Sequence, residues 1–431
     1  MAKKTKAADL SIEKKLEQAL VVPGYEPYKI PDNWCWTNLK TVCNLDNGIK
    51  HNNESLVYFD AKTLREITEP VSRNSGVIVE KGQKVILVDG ENSGEVFVIP
   101  DRGYMGSTFR ILNISKQFDE MYIRYFIDIF REELKKNKIG SAIPHLNKEL
   151  FYGLQFPLPP LPEQQRIVER IESLFSKLDE AKEKAQEVID SFETRKAAIL
   201  HKAFSGELTA KWREENGVGI NEYPVYRFSE VAEIKSNLVD PAEYQDYPHI
   251  APDNIEKKTG VLLDYHTIRE DGVTSGKHRF YPGQILYSKI RPNLSKLVIV
   301  DFDGLCSADM YPIEAKGDTK CLWYYMLSEE FLEQASSAGS RSVLPKINQK
   351  ELSTLRIRMP SSIDEQKEIS RLLDSLIEKE YQSKQVAESV IDQIDTMKKA
   401  ILAHAFRGEL GTNDPEEESA VEMLKQILSG E

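Results

Sequence analysis

The chain has 431 residues, more than one ordinary domain holds, and its 40% apolar content is enough to build roughly two to four packed units. Acidic side chains outnumber basic ones 69 to 57, giving a net charge of −12 and a pI near 5.4. That balance excludes a generic polyanion binder, which is usually basic. It leaves open a nucleic-acid partner met through segregated charge or a basic companion. The four cysteines, Cys35, Cys43, Cys306 and Cys321, form no CxxC pair. Plain buried thiols are expected rather than a disulfide framework or a zinc site.

Residues 1–30 open with "MAKKTKAADLSIEKKLEQAL", which has charges but no apolar h-region. They predict a short helical segment and no signal peptide, and no run is long enough for a membrane span; a soluble, cytoplasmic chain is expected. Residues 31–160 alternate turn residues with short β-rich runs such as "KVILVDG", "EVFVIP" and "STFRILNI", then a helix-like "DEMYIRYFIDIFREEL". This predicts a mixed α/β module. Residues 161–208 change character. Apolar residues fall at Ile167, Ile171, Leu174, Leu178, Ala181, Ala185, Val188, Phe192, Ile199 and Ala203, with Arg195 the one polar place. That spacing is a coiled-coil seam. After a linker at 209–223, residues 224–360 repeat the β-rich style with "QILYSKI", "KLVIVD" and the helix-like "KCLWYYMLSEEFLEQA".

A second seam follows over 361–410: Ile369, Leu373, Leu376, Ala387, Val390, Ile394, Met397, Ile401 and Ala405, interrupted at Glu380 and Ser383. Residues 411–431 read as an acidic tail with a short helix. Each seam is free of Pro and Gly over about 43 residues, so each predicts one helix of roughly 65 Å. Pro162 suits a first turn, Ser362 with Glu365 spells a capping box, and Gly206 and Gly408 are placed to end the helices. A lone striped helix needs a partner. Its own repeat, running antiparallel, is the expected one.

The chain is internally duplicated, which decides its organisation. "KAAILHKAFSGEL" (196–208) returns as "KKAILAHAFRGEL" (398–410), and "LPEQQRIVERIESL" (161–174) as "IDEQKEISRLLDSL" (363–376). Upstream, Pro144, Asn147 and Pro159 match Pro345, Asn348 and Pro360, and "GQKVIL" (82–87) matches "GQILYS" (283–288). The fold class is therefore α+β: two tandem mixed α/β modules and two long helices paired as an antiparallel coiled coil, in an internal pseudo-twofold repeat of about 200 residues.

No pattern in the sequence carries catalysis. "DGVTSGKH" (271–278) has three residues between its glycines, not four, and His278 where a P-loop needs a hydroxyl. No GxGxxG opens a strand–helix unit. No HExxH or HxH is present, so a metal site is not expected. A nuclease pairing of Asp101 with Glu133 and Lys135 would need Glu133 on a strand, and it falls in a helix-like run. "PLPPLP" (157–162) reads as a stiff lead-in to the first long helix rather than a polyproline ligand.

The order module, helix, module, helix, together with "PLPPLPEQQRIVERI", "KAAILHKAFSGELTAKWREENG", "KAILAHAFRGEL", "GQILYSKIRPNLSKL" and "SVLPKINQKEL", resembles the specificity subunits of type I restriction–modification systems over essentially the whole chain. The resemblance implies that each β-rich module is a target recognition domain (TRD) for one half of a split, asymmetric double-stranded DNA site. It implies that the helices set the gap and dock two methyltransferase subunits. It also implies that this chain has no catalytic residues and binds no cofactor or metal. S-adenosylmethionine would come with the methyltransferase, and ATP with Mg²⁺ with restriction–translocation subunits. Two rival readings are an assembly protein with two protein-binding modules on a coiled coil, and a stand-alone nuclease.

Candidate DNA contacts are polar or cationic loop residues. In the first module these are Asn47, Lys50, His51, Asn52, Asn92, Ser93, Tyr104, Ser107, Thr108, Arg110 and His145. In the second they are Lys277, His278, Arg279, Ser288, Lys289, Arg291, Asn293, Lys296, Ser340, Arg341, Ser342 and Lys346. The outward faces of the long helices, and Trp212 just past the first, are the expected places for partner subunits.

Overall fold

A computed structural model describes residues 11–52, 54–140, 144–219, 223–338 and 345–429. The chain divides into two compact units. One combines the residues up to 184 with those from 390 onward; the other is 185–389.

Each unit holds one β-rich module, and the two modules have the same topology. In the first, strands 43–46, 109–114, 84–87 and 96–98 form a four-stranded sheet in that order. Strands 50–51, 76–79, 103–105, 56–59 and 71–73 form a five-stranded one, and 35–38 pairs with 155–158. In the second, the matching sheets are 232–234, 310–315, 285–288, 297–299; then 238–239, 277–280, 304–306, 248–250, 266–267; then 225–227 with 356–358. Even the single parallel pairing recurs, 56–59 with 103–105 and 248–250 with 304–306. The duplication read from the sequence is thus a duplication of fold.

The repeated helix phrases have physical reasons. In the first unit Gln164, buried at the start of the helix Leu161–Asp190, donates from Nε2 to the carbonyl of Pro159 (2.9 Å). Its Oε1 accepts from the backbone N–H of Asp119 (2.9 Å). Asp119 in turn caps the module's helix Glu120–Ile129. The second unit repeats the arrangement: Gln366 donates to Pro360 O (2.7 Å) and accepts from the N–H of Asp318 (2.9 Å), which caps Thr319–Met326. One buried amide therefore ties each long helix to its module. Gly317 is required there by close approach, since a Cβ would stand 2.3 Å from Gln366 Oε1.

The neighbouring Glu is buried too. Glu163 accepts from Thr412 Oγ1 (2.7 Å) and from Arg166 Nη2 (2.7 Å), and Arg166 also binds Glu417. Glu365 accepts from Thr209 Oγ1 (2.7 Å), Tyr223 OH (2.6 Å) and Arg213 Nη1 (2.8 Å). The Glu365 backbone N–H donates only a long bond to Ser362 Oγ (3.4 Å). The expected capping box is half made, because the Glu365 carboxylate is spent on this buried cluster.

The phrase A-F-x-G-E-L ends each helix by seating its Phe in a module core. Phe406 lies 4.8 Å from Tyr122 and 5.4 Å from Phe126, ring to ring, and Phe204 lies 5.0 Å from Tyr325. Gly206 (φ +89°) and Gly408 (φ +71°) then take the left-handed conformation that stops a helix.

Within each unit the helix segments run antiparallel. In the first, Glu163 meets Thr412 and Asp179 meets Lys398 (2.6 Å). In the second, Arg195 meets Glu380 (2.7 Å) and Thr209 meets Glu365. Two of the three polar interruptions of the apolar seams, Arg195 and Glu380, are thus an ion pair with each other.

Two expectations need correction. The first helix is not one 43-residue rod: it breaks into Leu161–Asp190 and Phe192–Phe204. At the break Ser191 Oγ donates to Glu187 O (2.5 Å), and Arg195 Nη2 donates to Val188 O (3.1 Å). Side-chain bonding to helix carbonyls of this kind bends helices. The second helix does run unbroken, Ile363–Ala405. Val390 and Met397, assigned to its seam, are exposed, while Ile377 and Leu402 are buried.

Candidate nucleic-acid interface

The first module gathers several of the candidates at one place. A cleft of about 400 Å³ at the edge of the five-stranded sheet is lined by Asn47, Lys50, Asn52, Ser107 and Arg110, with Tyr58 and Arg73 among the remaining residues. Its lining contains three cations and no carboxylate. Arg73, on strand 71–73, stacks its guanidinium 3.5 Å from the centre of the Tyr58 ring. Arg110 donates from Nη1 to the carbonyls of Ser107 (3.2 Å) and Phe109 (2.6 Å). Lys50 has no ion-pair partner among the described residues. Sequence reasoning missed Arg73 and Tyr58. Only the pairing of 71–73 with 56–59 brings the two side chains together.

The other first-module candidates lie elsewhere. His51 is exposed, Asn92 and Thr108 are half-buried, and exposed His145 holds Asp89 through Nδ1 (2.6 Å). Ser93 and Tyr104 are corrections. Both are fully buried, and Tyr104 donates its hydroxyl to Glu54 O (3.0 Å) from the middle of the sheet. A strand-centre residue in "GYMG" looks like a loop residue when read without its neighbours.

In the second module most candidate cations are already engaged. Lys277 and His278 are buried and, like Ser288, belong to the interior rather than the surface. Burial pushes the Lys277 ammonium and the His278 imidazole below their ordinary values. Lys277 donates to Ser275 Oγ (2.7 Å), Lys296 to Pro252 O (2.7 Å), Lys289 to Ala308 O, and Lys346 to Asp309 (3.0 Å). Arg279 remains half-exposed in a ring of tyrosines, 5.2 Å from Tyr244, 5.8 Å from Tyr247 and 5.0 Å from Tyr281. Arg291 (φ +47°) and Ser295 (φ +46°) flank a tight turn that leaves Arg291 and Asn293 exposed. Ser340, Arg341 and Ser342 lie outside the described residues. Nearby, His249 and His266 both bind Asp271 through Nδ1, at 2.7 and 3.1 Å; the His249 bond is the main cause holding that carboxyl below the usual range.

Residues 31–190 and 221–389 each match the family model described as the type I restriction modification DNA specificity domain. The chain belongs to the type I specificity-subunit family. The specificity subunit of the Escherichia coli EcoDI type I restriction enzyme is 38% identical over 300 residues, covering 65% of this chain and 67% of that one. That of EcoKI from E. coli K12 is 21% identical, covering 89% and 90%. The fold agrees with the HsdS subunit of Thermoanaerobacter tengcongensis, with a TM-score of 0.62 at 19% identity over 89% of this chain and 99% of that one. As a specificity subunit it is the non-catalytic component of its restriction–modification system. Among the described residues no group of His, Cys, Asp and Glu is arranged to hold a metal, and no helix is long and apolar enough to cross a membrane. All four cysteines are free and buried, and burial pushes the Cys35 and Cys43 thiols up to about 12.

Proposed function

We propose that each TRD of this specificity subunit reads one half of a bipartite, asymmetric DNA site, in the cytoplasm. The TRDs are those read from the sequence, 31–160 and 224–360. The long helices over 161–208 and 361–410 set the gap and dock two methyltransferase subunits. Those subunits supply S-adenosylmethionine and the methyl transfer; restriction subunits supply ATP-driven translocation and cleavage. One observation carries the reading: the modules share every sheet and strand order, yet the first lines a cleft with Lys50, Arg73 and Arg110 where the second has Leu238, Ile268 and Tyr311. A reader of two different half-sites needs a common frame with different side chains at the contact places.

The test is an exchange. Replacing residues 34–158 by the corresponding module of another family member, in a complex with its methyltransferase subunits, changes one half of the methylated sequence and leaves the other half and the gap intact. Sequencing of methylated DNA reads the result. An unchanged motif, or cleavage or methylation by this chain alone, would sink the reading.

A further inference from the structure

The cleft of the first module presents a set of charges that the fold does not need. The strand registers allow this to be checked position by position. Lys50 faces Val77, which faces Met105; the matching row of the second module is Leu238, His278, Cys306. Lys50 therefore corresponds to Leu238. The strand opposite 56–59 places Arg73 where the second module has Ile268, one residue past its strand. Arg110 pairs with Ile86 as Tyr311 pairs with Tyr287. The second copy thus builds the same sheets with Leu, Ile and Tyr at the three places. Three cations line one cleft without a carboxylate among its walls, a lining that suits an anionic ligand.

The three cations differ in freedom. Arg73 is stacked on Tyr58 at 3.5 Å, which fixes the plane of its guanidinium while leaving its N–H edge free. A fixed planar fork matches the O6/N7 edge of guanine, and this is the commonest specific contact in the major groove. Lys50 is exposed on a two-residue strand and has no fixed partner, which suits a phosphate. Arg110 is tied by Nη1 to two backbone carbonyls, so it forms a wall of the cleft. From this we infer that Arg73 reads a guanine in the half-site of the first module, and that Lys50 holds an adjoining phosphate. The inference rests on the reading that this module binds DNA, and it adds which residue selects a base, and which base.

The experiment uses the full chain with its methyltransferase subunits and duplexes carrying single-base changes through the methylated motif. Arg73→Lys keeps the charge and loses the fork. Discrimination at one guanine of the first half-site then falls by roughly 5- to 150-fold, with the second half-site unaffected. Lys50→Ala weakens binding to all sequences alike and lowers the slope of log affinity against log salt by about 1. Arg73→Ile removes the charge together with the fork, and because Arg73 is exposed the change leaves the core untouched. If Arg73→Lys and Arg73→Ile both discriminate at every position as the unaltered chain does, the assignment of Arg73 is overturned. An unchanged salt slope in Lys50→Ala overturns the phosphate contact. If exchanging residues 34–158 shifts one half-site while these variants do nothing, only this assignment fails. If the exchange itself shifts nothing, the DNA reading fails with it.

Discussion

The two modules use the same sheets to present a charged cleft in one and neutral side chains at the matching places of the other. In the first, Lys50, Arg73 and Arg110 line a cleft with no acid among its walls. In the second, three cations are consumed internally: Lys346 and Lys289 by Asp309, and Lys277 by Ser275. The second module instead exposes Arg279 among three tyrosines and Arg291 on a strained turn. Backbone hydrogen bonding and buried apolar rows fix the architecture, so the surface side chains are free to diverge. Duplication followed by divergence gives two different surfaces on one scaffold.

The comparison can be broken at its shared parts and sharpened at its divergent ones. The largest expected effects are at the shared clusters. Glu365→Ala leaves Arg213 buried without its counter-charge and should cost about 3–5 kcal/mol. Glu163→Ala should cost less, since Arg166 is partly exposed and keeps Glu417. Equal losses in denaturant titrations would contradict the difference between the two clusters. Phe406→Ala and Phe204→Ala should each cost about 3–5 kcal/mol, because both rings are buried in a module core. If hydrogen exchange shows the loss confined to the helices and absent from the sheets, the Phe does not anchor the module. Gly317→Ala should cost roughly 1–3 kcal/mol through displacement of Gln366, whereas Gly153→Ala, which meets nothing within 4 Å, should not.

A pH effect separates the modules next. The His278 imidazole is held below its ordinary pKa by burial first and by Lys289 second. Its folded-state value is depressed, so its contribution to stability is complete above pH ~6.5 and is lost as pH falls below that value. Protection of strand 277–280 should decline over this range. His278→Val, which installs the residue of the first copy, should remove that part of the decline, and an identical profile in the variant would refute it. The smallest effect is expected from Lys50→Leu. If the fold does not need this charge, stability should change by less than about 0.5 kcal/mol. A larger loss in thermal unfolding would show that Lys50 is structural.

Much of this organisation was legible in the sequence, for identifiable reasons. The repeated phrases, the β-rich runs and the heptad stripes are local and periodic, so they revealed the duplication, the module–helix order and the glycine stops at Gly206 and Gly408. The break at Ser191 was not legible, since Ser and Arg are acceptable helix residues until their side chains find carbonyls. Tyr104, Lys277, His278 and Ser288 were mistaken for surface residues because short strands flanked by Gly and Ser look like loops, and Ser93 because it stands in a turn that the fold buries. Arg73 was missed for the converse reason. Its partner Tyr58 lies across a strand pair, and strand pairing is decided by tertiary register, which no local pattern encodes.

The seating of Phe406 has a consequence for the order in which the protein matures on the ribosome. The unit built from 185–389 is one continuous stretch, and all its core residues, from Leu200 to Ile377, emerge together. The other unit begins near Ala19 but needs Leu402, Ala405 and Phe406 to fill its core. The module made first is therefore completed last. Until Phe406 is synthesised, Tyr122 and Phe126 have an open site where its ring belongs, and the nascent chain carries that apolar gap while the whole intervening unit is made.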